Sequence, residues 1–396
     1  MDKDNLKQRW LFIIIMLLPV IKKLLNDFLV EDFYFLIIGV IYIVIAVLFI
    51  SSKSIKNLSI YDVVIFIVLI ATLVMSKMYL LHSNEVLDSA VDDIMQSCIF
   101  YYLAIRIFPF DEKSMNVLRA TSYMIAILMS VDIFLFSHMS GSYSMENAYI
   151  LLYGFALLCI PTFMRKFVFD YFMLVLFIVL IFACGTRGPL LFALLILIFT
   201  SNIKIVANKK NVFLIVLACI VLGAILIVAL FDKDMFDGLD GNIFSKRILT
   251  KIISGNFFSS SDRLEIYKPA WNYCLQHVLV GCGPLNDRVI LSDYFNSKIV
   301  TGFYPHNIYL ELCMQFGLIL GSILFVALIT CSVRCYKCIR FDALKKKLFF
   351  AVLFVGFAPL LLSKSYLCYP MFYFYIGLLV NIISENNEKI IIWDWE

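Results

Sequence analysis

Three stretches of the sequence combine a basic side chain with backbone features that suit the handling of an anion. The first is Gly185-Thr186-Arg187-Gly188, which directly precedes Pro189 and an apolar run. Glycine lets the backbone bend and a ligand approach closely, and proline favours the start of a helix. An arginine over a helix N-terminus suits phosphate oxygens, because its planar fork and the free amides can both donate to them. A lone arginine could also snorkel into lipid headgroups, but snorkelling needs no flanking glycines.

The second stretch follows the serines at 259–261 and has the pattern of a short amphipathic helix, which we expect to lie along the membrane surface. Its apolar side chains recur at helical spacing: Leu264, Tyr267, Trp271 and Leu275. Arg263 lies at the start of this pattern. Glu265 can either orient a partner in the site or pair with Lys268, three residues later.

The third stretch is Tyr-Pro-His-Asn-Ile-Tyr-Leu-Glu at 304–311, which leads into another apolar run. Pro305 favours a helix start, so we expect His306 and Asn307 in the first turn, at the edge of the membrane. Histidine is the side chain whose ordinary pKa suits proton removal from a hydroxyl near neutral pH. A lone interfacial histidine is usually only a polar residue, but its company with the glycine-flanked Arg187 favours a functional role.

The elements that position these stretches are predicted to be membrane helices. The sequence is 62% hydrophobic and only 16% charged, with a mean hydropathy of +0.93, which excludes an ordinary soluble domain. The net charge of +4 is too small to indicate a nucleic-acid partner. Runs near twenty apolar residues long predict about twelve transmembrane helices in an all-α integral membrane protein. They lie at 10–28, 33–50, 60–80, 94–110, 115–137, 148–164, 167–184, 189–203, 211–231, 306–333, 347–363 and 368–384.

Lysine and arginine in the short loops predict the orientation, because these residues mark the cytoplasmic side. They fall on alternate connections, one of which holds Arg106, Lys113 and Arg119, whereas loops 81–93 and 138–147 contain none. We therefore expect both termini in the cytoplasm and the long polar connection outside. The predicted organisation is helices 1–9 in residues 1–231, an extracytoplasmic loop with short helices in 232–305, and helices 10–12 with the cytoplasmic C-terminus in 306–396.

Cysteines and glycines give weaker indications. Most of the 11 cysteines lie in apolar runs, where a thiol behaves as a small hydrophobe, so no required disulfide is predicted. Cys331, Cys335 and Cys338 lack a nearby fourth ligand for a zinc site, and no metal site is predicted. The Gly-Cys-Gly-Pro run at 281–284 indicates a turn and is too short for a nucleotide-binding motif.

Together these motifs resemble the O-antigen ligase and polysaccharide polymerase superfamily of bacterial membrane glycosyltransferases. The resemblance covers about the second half of the chain. It consists of Gly-Thr-Arg-Gly at 185–188, Asp-Arg-Leu-Glu at 262–265 with Trp271, Gly-Cys-Gly at 281–283, Pro-His-Asn-Ile-Tyr-Leu-Glu at 305–311, Gln315-Phe316-Gly317-Leu318 and Gly321. The chain departs from the family at Val278, where a proline often precedes the glycine turn.

The resemblance implies a GT-C-like fold in the bacterial cytoplasmic (inner) membrane. It also implies an inverting, metal-independent transfer of an outer-leaflet glycan from undecaprenyl diphosphate to an acceptor hydroxyl, without a cofactor. Arg187 and Arg263 would bind the diphosphate, and His306 would serve the acceptor. Cations aimed at the charge that develops on such a leaving group stabilise the transition state. The predicted substrate-binding residues are Thr186, Glu265, Tyr267, Tyr304 and Asn307.

The predicted partners are the lipid-linked glycan donor and acceptor, membrane lipids, a chain-length regulator and a flippase, and no nucleic acid. The preferred function is polymerisation of lipid-linked repeats for O-antigen, capsule or exopolysaccharide. A ligase that moves the finished glycan to lipid A core or a protein would use the same residues. A transporter of the same glycan would favour internal repeats and charges at the bilayer midplane, which the sequence does not show. A membrane anchor or sensor would leave the basic residues unexplained.

Overall fold

The computed structural model describes residues 3–28, 31–52, 58–79, 84–135, 144–165, 167–184, 186–201, 261–296 and 303–393. Within these ranges the protein is built of helices and turns and has no strand, which confirms the predicted all-α class. The predicted span at 211–231 and the loop residues 232–260 and 297–302 lie outside the described residues.

The described helices include long apolar helices and shorter helices, some of which are polar. In chain order they are α1 (Lys3–Phe28), α2 (Glu31–Ser51), α3 (Ile60–Tyr79), α4 (Asn84–Asp93), α5 (Ile99–Ile107), α6 (Glu112–Leu135), α7 (Met145–Met164), α8 (Val168–Ala183), α9 (Arg187–Thr200), α10 (Ser261–Gln276), α11 (Asn286–Tyr294), α12 (Ile308–Phe316), α13 (Leu318–Ile339), α14 (Ala343–Val352) and α15 (Pro370–Trp393). A π-helical turn, Ile94–Cys98, joins α4 to α5. A second π-helical turn, Leu353–Phe357, and a 3-10 turn, Ala358–Leu361, follow α14.

Five described helices are long and apolar enough to cross a membrane. They contain the segments Phe33–Ser51, Ile60–Met78, Glu112–Ile133, Met145–Met164 and Leu318–Ile339. Shorter apolar helices occupy Val168–Ala183, Arg187–Thr200 and Pro370–Glu385. The protein therefore has the helices of a membrane protein, while the count of twelve spans and the GT-C-like topology stay predictions.

The chain divides into two compact units. The three-part division predicted from the loops stays a prediction. Unit 1 comprises Met1–Ser52, Phe108–Ser259 and Leu344–Val355, and unit 2 comprises Lys53–Ile107, Ser260–Ala343 and Gly356–Glu396. Each unit is thus assembled from segments that are distant in the sequence. Arg187 belongs to unit 1, whereas Arg263 and His306 belong to unit 2.

In unit 1, α7 is the central helix, and its side chains are buried along almost its whole length. It packs against α6, α8 and α9. Gly154 makes the close approach possible, because an added Cβ would lie 2.9 Å from both Ile125 and Phe177 side-chain atoms. The Ser122 hydroxyl of α6 donates to the Gly154 carbonyl at 2.7 Å. A helix that is apolar on all faces is buried in this way.

In unit 2, α5 and α15 are joined by a buried polar contact. Arg106 Nε donates to the Asp62 carboxylate at 2.6 Å, and its guanidinium also donates to Asn381. The Asn381 amide returns a bond to the Ile105 carbonyl at 2.7 Å. Arg106 is only 7% exposed, so this residue, which served as a cytoplasmic marker in the sequence, is an internal cross-link of the unit.

The predicted single span at 306–333 is wrong. The structure has two helices there, α12 and α13, separated at Gly317, whose φ is +87°. The break is filled by the chain after α10, since the amides of Leu318 and Ile319 donate to the carbonyls of His277 and Val278 at 3.4 and 3.1 Å. Helical periodicity alone does not reveal such a break, because both helices are apolar.

The prediction that His306 and Asn307 lie in the first turn of α12 is also wrong. Helix α12 begins at Ile308, with Asn307 as its N-cap, and His306 precedes the cap in the left-handed region with φ of 54°. Asn307 Oδ1 accepts from the amides of Tyr309 and Leu310 at 3.0 and 3.3 Å. An asparagine at this position satisfies amides that a helix start leaves without partners, and this places the cap two residues after Pro305.

The predicted turn at 281–284 packs against the end of α12. The amides of Cys282 and Gly283 donate to the carbonyls of Met314 and Gln315, each at 2.9 Å. A Cβ added at Gly281 would lie 2.6 Å from the Gln315 carbonyl oxygen, and backbone cannot yield as a side chain can. The glycine is therefore required by the close approach of two backbone segments.

Replacing Gly281 with alanine is expected to destabilise unit 2 by about 1–3 kcal/mol, the usual cost of overpacking. Thermal unfolding of the purified protein in detergent would measure the lowered midpoint. Gly39→Ala in α2 is the matched control, because an added Cβ there meets no atom within 4 Å. An equal change in both variants would contradict the packing explanation.

Candidate functional site

The Arg187 part of the candidate site lies at the start of α9 in unit 1. Arg187 is the first residue of that helix, and Thr186 is its N-cap, with φ of −110° and ψ of 127°. The Thr186 side chain makes no capping bond, and its Oγ1 is buried without a hydrogen-bond partner among the described residues. The first turn therefore keeps amides that the cap does not satisfy, which suits an anion.

Gly188 follows Arg187 in the first turn of α9, and packing does not require a glycine there. A Cβ added at Gly188 would lie 3.6 Å from the Tyr149 hydroxyl, an ordinary contact distance. The prediction that this glycine serves the approach of a ligand is compatible with that space. Gly185, the other flanking glycine, lies outside the described residues.

A polar cluster that the sequence did not single out lies in the same unit. Lys23 Nζ is 3.3 Å from Asp132 Oδ2 and donates to Asn147, whose amide donates to Asp132 Oδ2 at 3.0 Å. Lys23 and Asp132 lie within electrostatic range of Cys184, the residue after α8. Lys23 stands in the first apolar run and Asp132 in the fifth, so only the tertiary structure brings them together.

The Arg263 and His306 parts of the candidate site come together in unit 2. The half-buried Arg263 lies in the first turn of α10, and its charge acts on both Tyr267 and His306. Tyr267, one turn later, shares a side-chain hydrogen bond with Asn307. Two residues of α10 and two from the start of α12 are therefore neighbours.

His306 is held in one orientation by the chain after the 3-10 turn. Its Nδ1 lies 3.3 Å from the Ser363 carbonyl oxygen, and the Tyr304 hydroxyl donates to the same oxygen at 2.8 Å. The Tyr304 and His306 ring centroids are 4.0 Å apart. A carbonyl can only accept, so Nδ1 carries the proton and Nε2 is left as the acceptor of the neutral ring.

The environment of His306 favours the neutral imidazole. Burial lowers the pKa of His306 below its ordinary value, and the positive charges of Arg263, Lys364 and Arg288 lower it further, against the opposing effect of the Ser363 carbonyl. A neutral ring with a free Nε2 lone pair is the form that can remove a proton from a hydroxyl. The geometry thus suits a general base.

The other predicted substrate-binding residues differ in their surroundings. Asn307 caps α12 through Oδ1 and donates to the Leu361 carbonyl at 3.2 Å through Nδ2, so its side chain already has partners at both ends. Glu265 and Lys268 are exposed on α10. Both the substrate-binding role of Asn307 and the pairing of Glu265 with Lys268 stay predictions.

A buried charged network next to these residues was missed by the sequence reasoning. Gln315 Nε2 donates to Asp287 Oδ1 at 2.7 Å, Arg288 Nη2 donates to Ser365 Oγ at 3.3 Å, and the Ser365 hydroxyl donates to Glu311. Asp287 and Glu311 are fully buried. Burial raises the pKa of the Glu311 carboxyl, and the charge of Asp287 raises it further. The sequence signals that could have revealed this network are Asp287 and Arg288, shortly after the glycine turn, and Glu311 at the end of the motif at 305–311.

All three predicted catalytic residues lie in one stretch of the sequence, between α8 and α13. Residues 172–326 match a family model described as O-antigen ligase. The predicted resemblance to the O-antigen polymerase and ligase superfamily is confirmed. The O-antigen ligase match contains Arg187, Arg263 and His306, and it also contains the buried Asp287 and Glu311. No curated protein and no solved structure matches the chain.

Proposed function

We propose that this protein is a membrane glycosyltransferase that polymerises oligosaccharide repeats linked to undecaprenyl diphosphate, for O-antigen, capsule or exopolysaccharide. One observation carries the proposal. The O-antigen ligase match contains His306, which is built as a neutral base with Nε2 available, and Arg263, whose charge acts on it. The apolar helices of the protein suit a lipid-borne substrate.

In the proposed reaction the acceptor hydroxyl of one lipid-linked repeat attacks the anomeric carbon of the growing chain. The new glycosidic bond forms as the bond to the diphosphate oxygen breaks, and the anomeric configuration inverts. His306 Nε2 takes the hydroxyl proton. Arg187 and Arg263 bind the diphosphate, where negative charge develops as it leaves.

The cellular setting belongs to the same proposal. The enzyme would reside in the bacterial cytoplasmic membrane with both termini in the cytoplasm and residues 232–305 on the outer side. Its donor would reach that side by a flippase, and a chain-length regulator would act with it. No metal or cofactor is required, because the arginines supply the positive charge.

A ligase is the second candidate, and the match to a family described as O-antigen ligase favours it. A ligase would use the same base and the same cations, but its acceptor would be lipid A core or a protein. The fate of single repeats separates the two functions. Without a polymerase, single repeats are still attached to the final acceptor, whereas without a ligase nothing is attached.

Arg263→Ala is expected to remove long glycans from cells while single repeats stay attached, because transfer to the acceptor repeat loses a cation that stabilises the leaving group. Losing one such interaction costs on the order of a hundredfold to a thousandfold in rate. Gel electrophoresis of the cell-surface glycan would measure the length distribution. Lys268→Ala is the matched control, since Lys268 is an exposed cation on the same helix.

The two variants give distinct readings. Loss of all attached glycan in Arg263→Ala would favour the ligase. A normal ladder of lengths in Arg263→Ala, with the protein present at normal abundance in the membrane, would contradict both glycosyl-transfer functions.

A further inference from the structure

Arg288 is a buried cation that the proposed reaction does not use. It lies on α11, directly after Asp287, and is only 4% exposed. Its Nη2 donates to Ser365 Oγ at 3.3 Å and to Cys368 Sγ at 3.5 Å. Its Nε is buried and has no hydrogen-bond partner among the described residues. A charged side chain so fully removed from water is costly unless it has counter-ions.

Two buried carboxyls of the network act on this charge. Asp287 and Glu311 both act electrostatically on Arg288. The Ser365 hydroxyl bridges the two sides, since it accepts from Arg288 and donates to Glu311. Asp287 is fixed in turn by Gln315, and Tyr366 donates to the Gln315 side-chain oxygen at 2.6 Å. The chain at 365–368, which is itself bonded to α12 through Ser365 and Glu311, therefore holds the guanidinium in place.

The free face of Arg288 leads to the candidate base. Its guanidinium carbon lies 5.5 Å from the centroid of the Tyr304 ring, a distance at which the ring attracts a cation. His306 also lies against that ring, with ring centroids 4.0 Å apart and ring planes inclined at 51°. Tyr304 and His306 also share the Ser363 carbonyl oxygen. Tyr304 is thus in contact with both Arg288 and His306.

We propose that Arg288 is a positioning residue of this site, which fixes the Tyr304 ring and through it the orientation of the His306 imidazole, and which is itself held by Ser365 beside the buried carboxyls of Asp287 and Glu311. The inference rests on the proposed function in so far as His306 is the base. Arg288 itself does not touch the reacting atoms. Its effect on transfer comes from the alignment of Nε2, where small displacements are costly.

The charge of Arg288 gives the role a measurable signature. The charged groups that face His306 are Arg263 from α10, Arg288 from α11 and Lys364 from the chain after the 3-10 turn. Each positive charge opposes protonation of the imidazole. Removing the Arg288 charge therefore moves the titration midpoint of His306 to higher pH. Loosened packing would move it the same way by hydrating the ring, so the charge-retaining variant Arg288→Lys separates the two effects.

The test uses the full chain, purified in detergent, and diethyl pyrocarbonate, which acylates neutral imidazole. Peptide mass spectrometry follows the modification rate of His306 across a pH series. Arg288→Met is expected to raise the titration midpoint of His306. It is also expected to speed modification at alkaline pH, because the contact that holds the Tyr304 ring beside His306 is lost. Arg288→Lys is expected to keep the midpoint, since the charge remains, and to speed modification, since the planar guanidinium is lost.

His277 is the internal control in every sample. It belongs to the same unit and stacks on Tyr273 with ring centroids 3.9 Å apart, away from the Arg288 contacts. The expected result leaves the His277 rate unchanged in both variants. If His277 and His306 change together in both variants, or if His306 changes in neither, the positioning role is overturned.

Glycan length in cells gives the second reading, with an expected fall in long chains on the order of a hundredfold for Arg288→Met. The two readings separate the inference from the function on which it rests. A midpoint shift of His306 in Arg288→Met, together with normal glycans in Arg263→Ala, would refute the glycosyl-transfer function and keep the positioning role. Normal long chains in Arg288→Met, with loss of them in Arg263→Ala, would overturn the positioning role alone.

Discussion

Replacing Arg187 with alanine is expected to abolish long glycans in cells, through a fall in transfer of about a hundredfold to a thousandfold. The reason is the position of this residue at the first turn of α9, after a cap that leaves helix amides unsatisfied. An arginine there can bind diphosphate oxygens together with those amides. The measurement is the length distribution of surface glycan, normalised to the amount of protein in the membrane.

Two matched variants sharpen the Arg187 experiment. Arg187→Lys keeps the charge but loses the bidentate fork, so an intermediate loss is expected. Gly188→Ala is expected to fold normally, because the added Cβ meets the Tyr149 hydroxyl only at 3.6 Å. A loss of activity in that variant would support ligand approach at the glycine. Full activity of Arg187→Ala would contradict the role of this residue as an anion receptor.

Replacing His306 with asparagine is expected to lower transfer by about a hundredfold to ten-thousandfold, the range that a general base contributes. Asparagine is the sharper choice because His306 has φ of 54°, and asparagine tolerates the left-handed region better than most residues. His306→Ala would add backbone strain to the loss of the base. Equal protein abundance of the asparagine variant and the unchanged protein is therefore the required control.

The pH dependence of transfer follows from the same residue. The base acts as neutral imidazole, and burial together with the neighbouring positive charges lowers the pKa of His306. The enzyme should therefore keep its activity as pH falls through about 6.5, the ordinary value for histidine, and lose it only at lower pH. The rate of transfer in purified protein across a pH series measures this limb. A loss of activity that begins above the ordinary value would contradict the described environment.

The sequence was sufficient for features that depend on local composition. Apolar runs predicted an all-helical membrane protein, and α10 was expected from its spacing of apolar side chains. What the sequence could not show is pairing between distant segments, because no local pattern records which backbone approaches which.

Three particular residues illustrate that limit. Gly317 ends α12 because the chain after α10 occupies the space beside it. Arg106 was assigned to a cytoplasmic loop because counting basic residues assumes exposure, whereas Asp62 binds it inside unit 2. Arg288 drew no attention because Ser365, which links it to Glu311, is 77 positions away along the chain, and only the fold joins them.

The most direct test of the proposed function is transfer by the purified chain in lipid vesicles supplied with a repeat unit on undecaprenyl diphosphate. The expected result is release of undecaprenyl diphosphate together with glycans of more than one repeat, in the presence of a metal chelator, and neither product with Arg187→Ala. Intact single-repeat donor after incubation with folded, unchanged protein would contradict the polymerase. Equal product from the unchanged protein and the Arg187 variant would contradict the proposed mechanism.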